Sequence, residues 1–128
     1  MKPITAEWIE KAEGDFVLVQ REVKVSEKPN YDAVCFHCQQ CAEKYLKARL
    51  SEATISFGKI HDLVSLLEQV LDIEPQWEKF RKDLAYLSDF AVSFRYPGES
   101  ADAQSAFDAQ ERCQRFREAA QKALNLKT

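Results

Sequence analysis

Tyr31-Asp32-Ala33-Val34-Cys35-Phe36-His37-Cys38-Gln39-Gln40-Cys41-Ala42-Glu43-Lys44-Tyr45-Leu46-Lys47-Ala48-Arg49-Leu50-Ser51 is the stretch that decides the fold. Tyr31, Val34, Cys38, Cys41, Tyr45 and Ala48 recur at alternating steps of three and four. That spacing keeps them on one side of an α-helix and is the pattern of a bundle seam. The stretch holds neither Gly nor Pro. It predicts a long helix over residues 31 to 51, and Phe36 or Leu50 would mark an interface if exposed.

Working outward, the same pattern returns on both sides. Upstream, Trp8, Ala12, Phe16, Val19 and Val23 predict a helix over 5 to 25, with Thr5 as its N-cap and Glu7 in the first turn. Lys28-Pro29-Asn30 supplies turn chemistry between the two helices. Downstream, Ser51 to Lys59 reads as a loop. Leu63, Leu66, Leu67, Val70 and Leu71 then predict a short helix over 61 to 72. Pro75 suits the first turn of a fourth helix, which carries Trp77, Phe80, Leu84, Leu87, Ala91 and Phe94 and stops at Tyr96-Pro97-Gly98. Ser100 or Asp102 caps the last helix, whose apolar face is Ala106, Ala109, Cys113, Phe116, Ala120 and Leu124.

The expectation is an all-α antiparallel up-and-down bundle of four long helices and one short one, forming a single domain over residues 1 to 128. The composition agrees. Three Gly and four Pro in 128 residues are too few for the turns of an all-β chain. The 45% hydrophobic share is enough for a core without metals or disulfides. A net charge of −3 gives no overall basic field for nucleic acid, so any nucleotide or RNA site has to be local. No apolar run approaches a membrane span and the N-terminus lacks a signal core, which points to a cytoplasmic protein with reduced thiols.

Four groups of residues invite a chemical reading. Cys35, His37, Cys38 and Cys41 look like zinc ligands by composition. On one helix, however, Cys38 and Cys41 lie on the seam, Cys35 beside it and His37 on another face. Four ligands do not converge that way, and buried cysteines behave as small core residues. The reading is core packing, with no metal and no cofactor. His61, at the start of the third helix, could act as an acid, a base or a phosphate partner, or simply bond a backbone group there. Arg95 and Tyr96 offer bidentate phosphate recognition and a stacking ring, although a cation at a helix C-terminus is favoured by the dipole anyway. Glu43 and Lys47 can pair at i,i+4 on the outside of the second helix, with Gln40 and Lys44 on an adjoining face; this is either a solvated face or a dimer surface. Gly14, inside the first helix, allows close approach of another helix or is a tolerated poor helix former.

An alternating tracing turns these groups into one candidate site. If the first helix runs up, the third also runs up and the fourth down. His61, Arg95, Tyr96 and the start of the last helix then meet at the bottom, where they could hold a phosphate.

Several of these residues, in order, resemble a known family. Trp8, Ala12-Glu13-Gly14-Asp15, Phe36 through Ala48, His61-Asp62-Leu63 and Arg95-Tyr96-Pro97 are similar to the HEPN domain (higher eukaryotes and prokaryotes nucleotide-binding). The resemblance implies a small helical bundle, often dimeric, linked to nucleotides or RNA. It implies, for many prokaryotic relatives, a minimal nucleotidyltransferase encoded alongside or fused. Some relatives are ribonuclease toxins, whose motif is an Arg followed four to six residues later by His. Here no His follows Arg95. The resemblance therefore implies a non-catalytic module with Arg95 on phosphate, assisted by His61, Tyr96 and Lys44. The alternatives are a ribonuclease using Arg95 and His61, and a purely structural dimerisation domain.

Overall fold

The computed structural model describes residues 1–126. Five α-helices follow one another: α1 (Pro3–Glu22), α2 (Tyr31–Glu52), α3 (Leu63–Val70), α4 (Arg81–Ser88) and α5 (Ala103–Ala123). No strand occurs among the described residues. Local chemistry explains most of the boundaries. Pro3 occupies the first turn of α1, where its missing N–H costs nothing. The helix therefore starts before Thr5, which is buried inside it and is not the cap. Asn30 caps α2 by accepting from the Ala33 N–H at 3.0 Å. Asp62 and Asp102 cap α3 and α5 in the same way, accepting from Ser65 and Ser105.

The fourth segment differs most from expectation. It is helical from Pro75 to Ala91, yet only Arg81–Ser88 is α-helix; Pro75–Phe80 and Asp89–Ala91 are 3-10 turns. Three long helices therefore stand where four were expected. The seam residues Trp77, Phe80, Leu84 and Leu87 are nonetheless buried. The tighter turns re-aim the aromatic rings without breaking the buried stripe. Trp77 and Phe80 both meet Phe116 of α5 edge-on, at 5.1 and 5.4 Å.

α2 is the central helix, touching α1, α3, α4 and α5. Polar ties fix the directions. Asp15 meets Lys44, Glu13 meets Tyr45 and Glu22 meets Asn30, so α1 is antiparallel to α2. With α1 running up, α2 runs down. The chain then climbs back over residues 53–62 without a helix, bringing His61 beside Glu43 in the middle of α2. α3 descends to Glu74, which binds Arg49 near the end of α2. α4 rises again, returning Ser88 to Asp62. α5 starts at the top, where the Ala101 N–H donates to Asp32, and descends alongside α2. The extended climb after α2 is what an alternating tracing cannot foresee. It puts Arg95, Tyr96 and the start of α5 together at the top, not the bottom.

The core is built on the face of α5 that the spacing marked, together with all four cysteines. Cys35, Cys38, Cys41 and Cys113 are buried free thiols. A hydrogen bond with Cys113, then burial, pushes the Cys41 thiol well above its ordinary range. Burial, with Asp32 and Asp102 nearby, pushes Cys35 up to about 12. Buried thiols of this kind pack as small core residues where α2 meets α5.

Candidate functional site

Three polar regions carry the residues of interest. The first lies inside. Gln39, Glu43 and Lys47 follow one another at i, i+4 and i+8 along α2, and Glu43 and Lys47 are only 5% and 4% exposed. The pair forms as the spacing allows, at 3.0 Å, but on a buried face and not on the outside. Trp8 of α1 and Phe57 of the climbing loop place their rings 5.4 and 5.5 Å from the Lys47 ammonium. Glu43 also accepts from Gln39 at 2.9 Å and meets the His61 Nδ1 at 3.0 Å. Burial alone raises its pKa, but the hydrogen bonds from His61, Gln39 and Lys47 outweigh this and hold the carboxyl below the usual range. His61 itself is mostly exposed, with a side chain 68% accessible at the rim of this cluster.

The second region joins α1, α2 and α5. Arg117 grips Glu13 through two bonds of 2.7 and 2.6 Å and lies 4.2 Å over the Phe16 ring. Tyr45 donates to the same Glu13 at 2.6 Å. Burial works against ionisation of Glu13, yet these bonds bring its pKa net below the ordinary value. On the neighbouring side of α1, Asp15 accepts Lys44 at 2.6 Å and meets His37 at 2.6 Å. Lys44 is thus committed to an internal carboxylate, and His37 to the same one.

The third region is the corner after α4. Phe90 stacks on Phe94, at 5.7 Å, and Phe94 adopts a left-handed φ of 64°. That bend throws Arg95 and Tyr96 outward; both are exposed, Tyr96 by 70%. Arg95 donates one N–H to the Ala91 carbonyl at 2.7 Å. A guanidinium has five donors, so most of them face solvent. The free N–H groups at the start of α5 are partly used: Asp102 takes the Ser105 N–H at 2.7 Å, and Asp32 takes that of Ala101 at 2.6 Å.

Of the four residues singled out in the sequence, the fold therefore brings Arg95 and Tyr96 together at the top, sets His61 beside the middle of α2, and locks Lys44 to α1. No hydrogen bond or ion pair joins His61 to Arg95 among the described residues. Sequence reasoning missed a groove of about 690 Å³ lined by Trp77, Phe80, Lys79, Arg115 and Lys122. The one signal for it was Arg115 and Lys122, seven apart on α5.

The same architecture recurs in known proteins. The chain matches the family model described as HEPN domain over residues 5–126. Among solved structures it is similar to TT1696 from Thermus thermophilus, with 19% identity, a TM-score of 0.76, and 92% of this chain and 96% of that one covered. It is also similar to ST0689, an archaeal HEPN homologue, with 23% identity, a TM-score of 0.71, and coverage of 96% and 98%. No curated protein matches the sequence. At these identities the two structures share the fold. The family model, which spans nearly the whole chain, adds the lineage: the chain belongs to the HEPN domain family.

Proposed function

We propose that this chain is a non-catalytic cytoplasmic HEPN module that binds a nucleotide, a nucleotidyltransferase partner, or both, and pairs with a second copy of itself. The observation that carries the reading is the exposed Arg95–Tyr96 corner. Arg95 spends one donor on its own backbone and holds the rest toward solvent, beside a free aromatic ring. That combination suits a phosphate next to a base or ribose. His61 keeps an exposed edge and is the assisting residue; Lys44 contributes indirectly at most, since Asp15 already holds it.

The non-catalytic part rests on the histidines. None follows Arg95, and the two present each meet a carboxylate, His37 on Asp15 and His61 on Glu43. No helix among the described residues is long and apolar enough to cross a membrane. Calorimetric titration of ATP, GTP and their diphosphates tests the site. Wild type is expected to bind at least one of them, and Arg95→Ala to weaken binding by about tenfold or more, as loss of a charge-assisted pair does. Unchanged binding by the variant would remove Arg95 from the site. Ribonuclease activity abolished by His61→Ala would favour the enzymatic alternative.

A further inference from the structure

Asp15 of α1 is shared by two side chains of α2. Its Oδ1 meets the His37 Nδ1 and its Oδ2 accepts from the Lys44 ammonium, each at 2.6 Å. An ionised carboxylate only accepts, so the His37 Nδ1 carries the hydrogen. That fixes the tautomer and leaves the ring's lone pair on Nε2. The Asp15 side chain is 9% accessible and the His37 side chain 26%. Nε2 has no hydrogen-bond partner among the described residues, yet it is not one of their buried unpartnered polar atoms, so it opens to solvent. The Phe36 ring stands edge-on beside the imidazole at 5.2 Å.

The charges around this ring favour an anion. α2 carries no charged residue within one turn of His37. On α1, the charged residues within one turn of Asp15 are Lys11 and Glu13. Glu13 is held by both arms of Arg117, and Lys11 is exposed and without an ion pair among the described residues. Lys44 cancels the charge of Asp15, so the carboxylate that orients the ring does not repel a phosphate. An imidazole held at Nδ1 by a carboxylate is a nucleophile at Nε2, and the carboxylate faces the positive charge that the ring gains when Nε2 forms a bond. His37 lines no part of the groove beside Trp77 and Phe80; it is presented on a helix face. That placement suits acceptance of a group from a donor, not turnover of an enclosed substrate.

We infer that His37 is a phosphoryl acceptor whose Nε2 takes the phosphoryl group of an acyl phosphate, with Asp15 as its positioning residue. The Nε2 lone pair forms the N–P bond. The P–O bond to the acyl oxygen breaks, and the carboxylate leaves with that electron pair. The Nδ1 proton stays on the ring, held by Asp15, so no outside base is consumed. Each chain accepts one group without turnover, which agrees with a non-catalytic module.

Incubation of the whole chain with acetyl phosphate tests this, read by intact mass, peptide mapping and phosphorus–carbon couplings in NMR. Wild type is expected to gain one phosphoryl group, on His37 through Nε2, about tenfold or more faster than the same chain unfolded in urea. His37→Gln is expected to lose the gain. Asp15→Asn, checked for folding by circular dichroism, is expected to slow the reaction by about tenfold or more and to give a mixture of Nδ1 and Nε2 adducts, which loss of a structural tie alone does not produce. If that variant does not fold, the wild-type rate and point of attachment decide. Lys44→Gln is expected to slow reaction with acetyl phosphate but not with diethyl pyrocarbonate, a neutral reagent that the uncancelled Asp15 charge does not repel. No gain by folded wild type, a gain on His61 in place of His37, attachment through Nδ1, or a rate no greater than that of the unfolded chain would overturn the inference.

Discussion

The inner face of α2 and the corner after α4 carry similar residue types and use them in opposite ways. Within α2, Glu43 and Lys47 are almost fully buried, and Glu43 satisfies Lys47, Gln39 and His61 at once. At the corner, Arg95 makes one hydrogen bond among the described residues, to the Ala91 carbonyl. The contrast separates charge that positions helices from charge that is available to a ligand. A cation already answered by a buried carboxylate, such as Lys44 or Lys47, has little left to offer. An exposed guanidinium beside an exposed ring has nearly everything left.

The comparison can be broken most forcefully from the inside. Glu43→Ala leaves the Lys47 ammonium buried without its carboxylate. Stranding a buried charge costs about 3–5 kcal/mol, a large share of the roughly 5–15 kcal/mol that holds an ordinary domain together. Urea denaturation should show that loss. His61→Ala, at the exposed rim of the same cluster, should cost less than about 1 kcal/mol. Similar effects of the two variants would mean that Glu43 is not the hub of the cluster.

A second, smaller effect follows from acid. Glu43 and Glu13 hold their protons less tightly when folded than at the ordinary glutamate value of 4.5. The unfolded chain therefore binds protons first as pH falls. The stability contributed by these carboxylates is complete above about pH 4.5 and is lost as pH drops through their depressed folded values. Denaturation midpoints measured from pH 6 down to about 3 should fall in that window. Arg95→Ala should leave the slope unchanged.

A further small effect has the opposite sign. Gly14→Ala has open space around it and should stabilise the isolated chain by about 1 kcal/mol. Destabilisation would mean that α1 needs glycine for its own conformation.

Much of the bundle was legible because helical spacing reports burial directly. Every residue marked on the face of α5, from Ala106 to Leu124, is buried. The cysteines read correctly as core for the same reason. α2 was underestimated: a seam accounts for one buried side, whereas a central helix also buries Cys35, Ala42, Leu46 and Leu50. Glu43 and Lys47 looked solvated because an i,i+4 pair carries no sign of what covers it, and the covers, Trp8 and Phe57, come from distant parts of the chain. The 3-10 turns around α4 preserve its three-and-four spacing, so periodicity could not reveal them. The direction of α3 was hidden in residues 53–62, whose climb depends on tertiary contact. That loop sets His61 against Glu43 of α2, with no bond to Arg95 among the described residues, and the sequence could name both residues without placing them.

The central claim is that the available charge at the Arg95 corner is where this HEPN domain meets its ligand. Amide and side-chain NMR shifts, followed while a nucleotide is titrated into wild-type protein, test it most directly. The account predicts shifts concentrated at Arg95, Tyr96, Gly98 and the first turn of α5, with a smaller response at His61. No shifts at all, or shifts gathered around Trp77, Lys79, Arg115 and Lys122 in the groove near the start of α4, would contradict it.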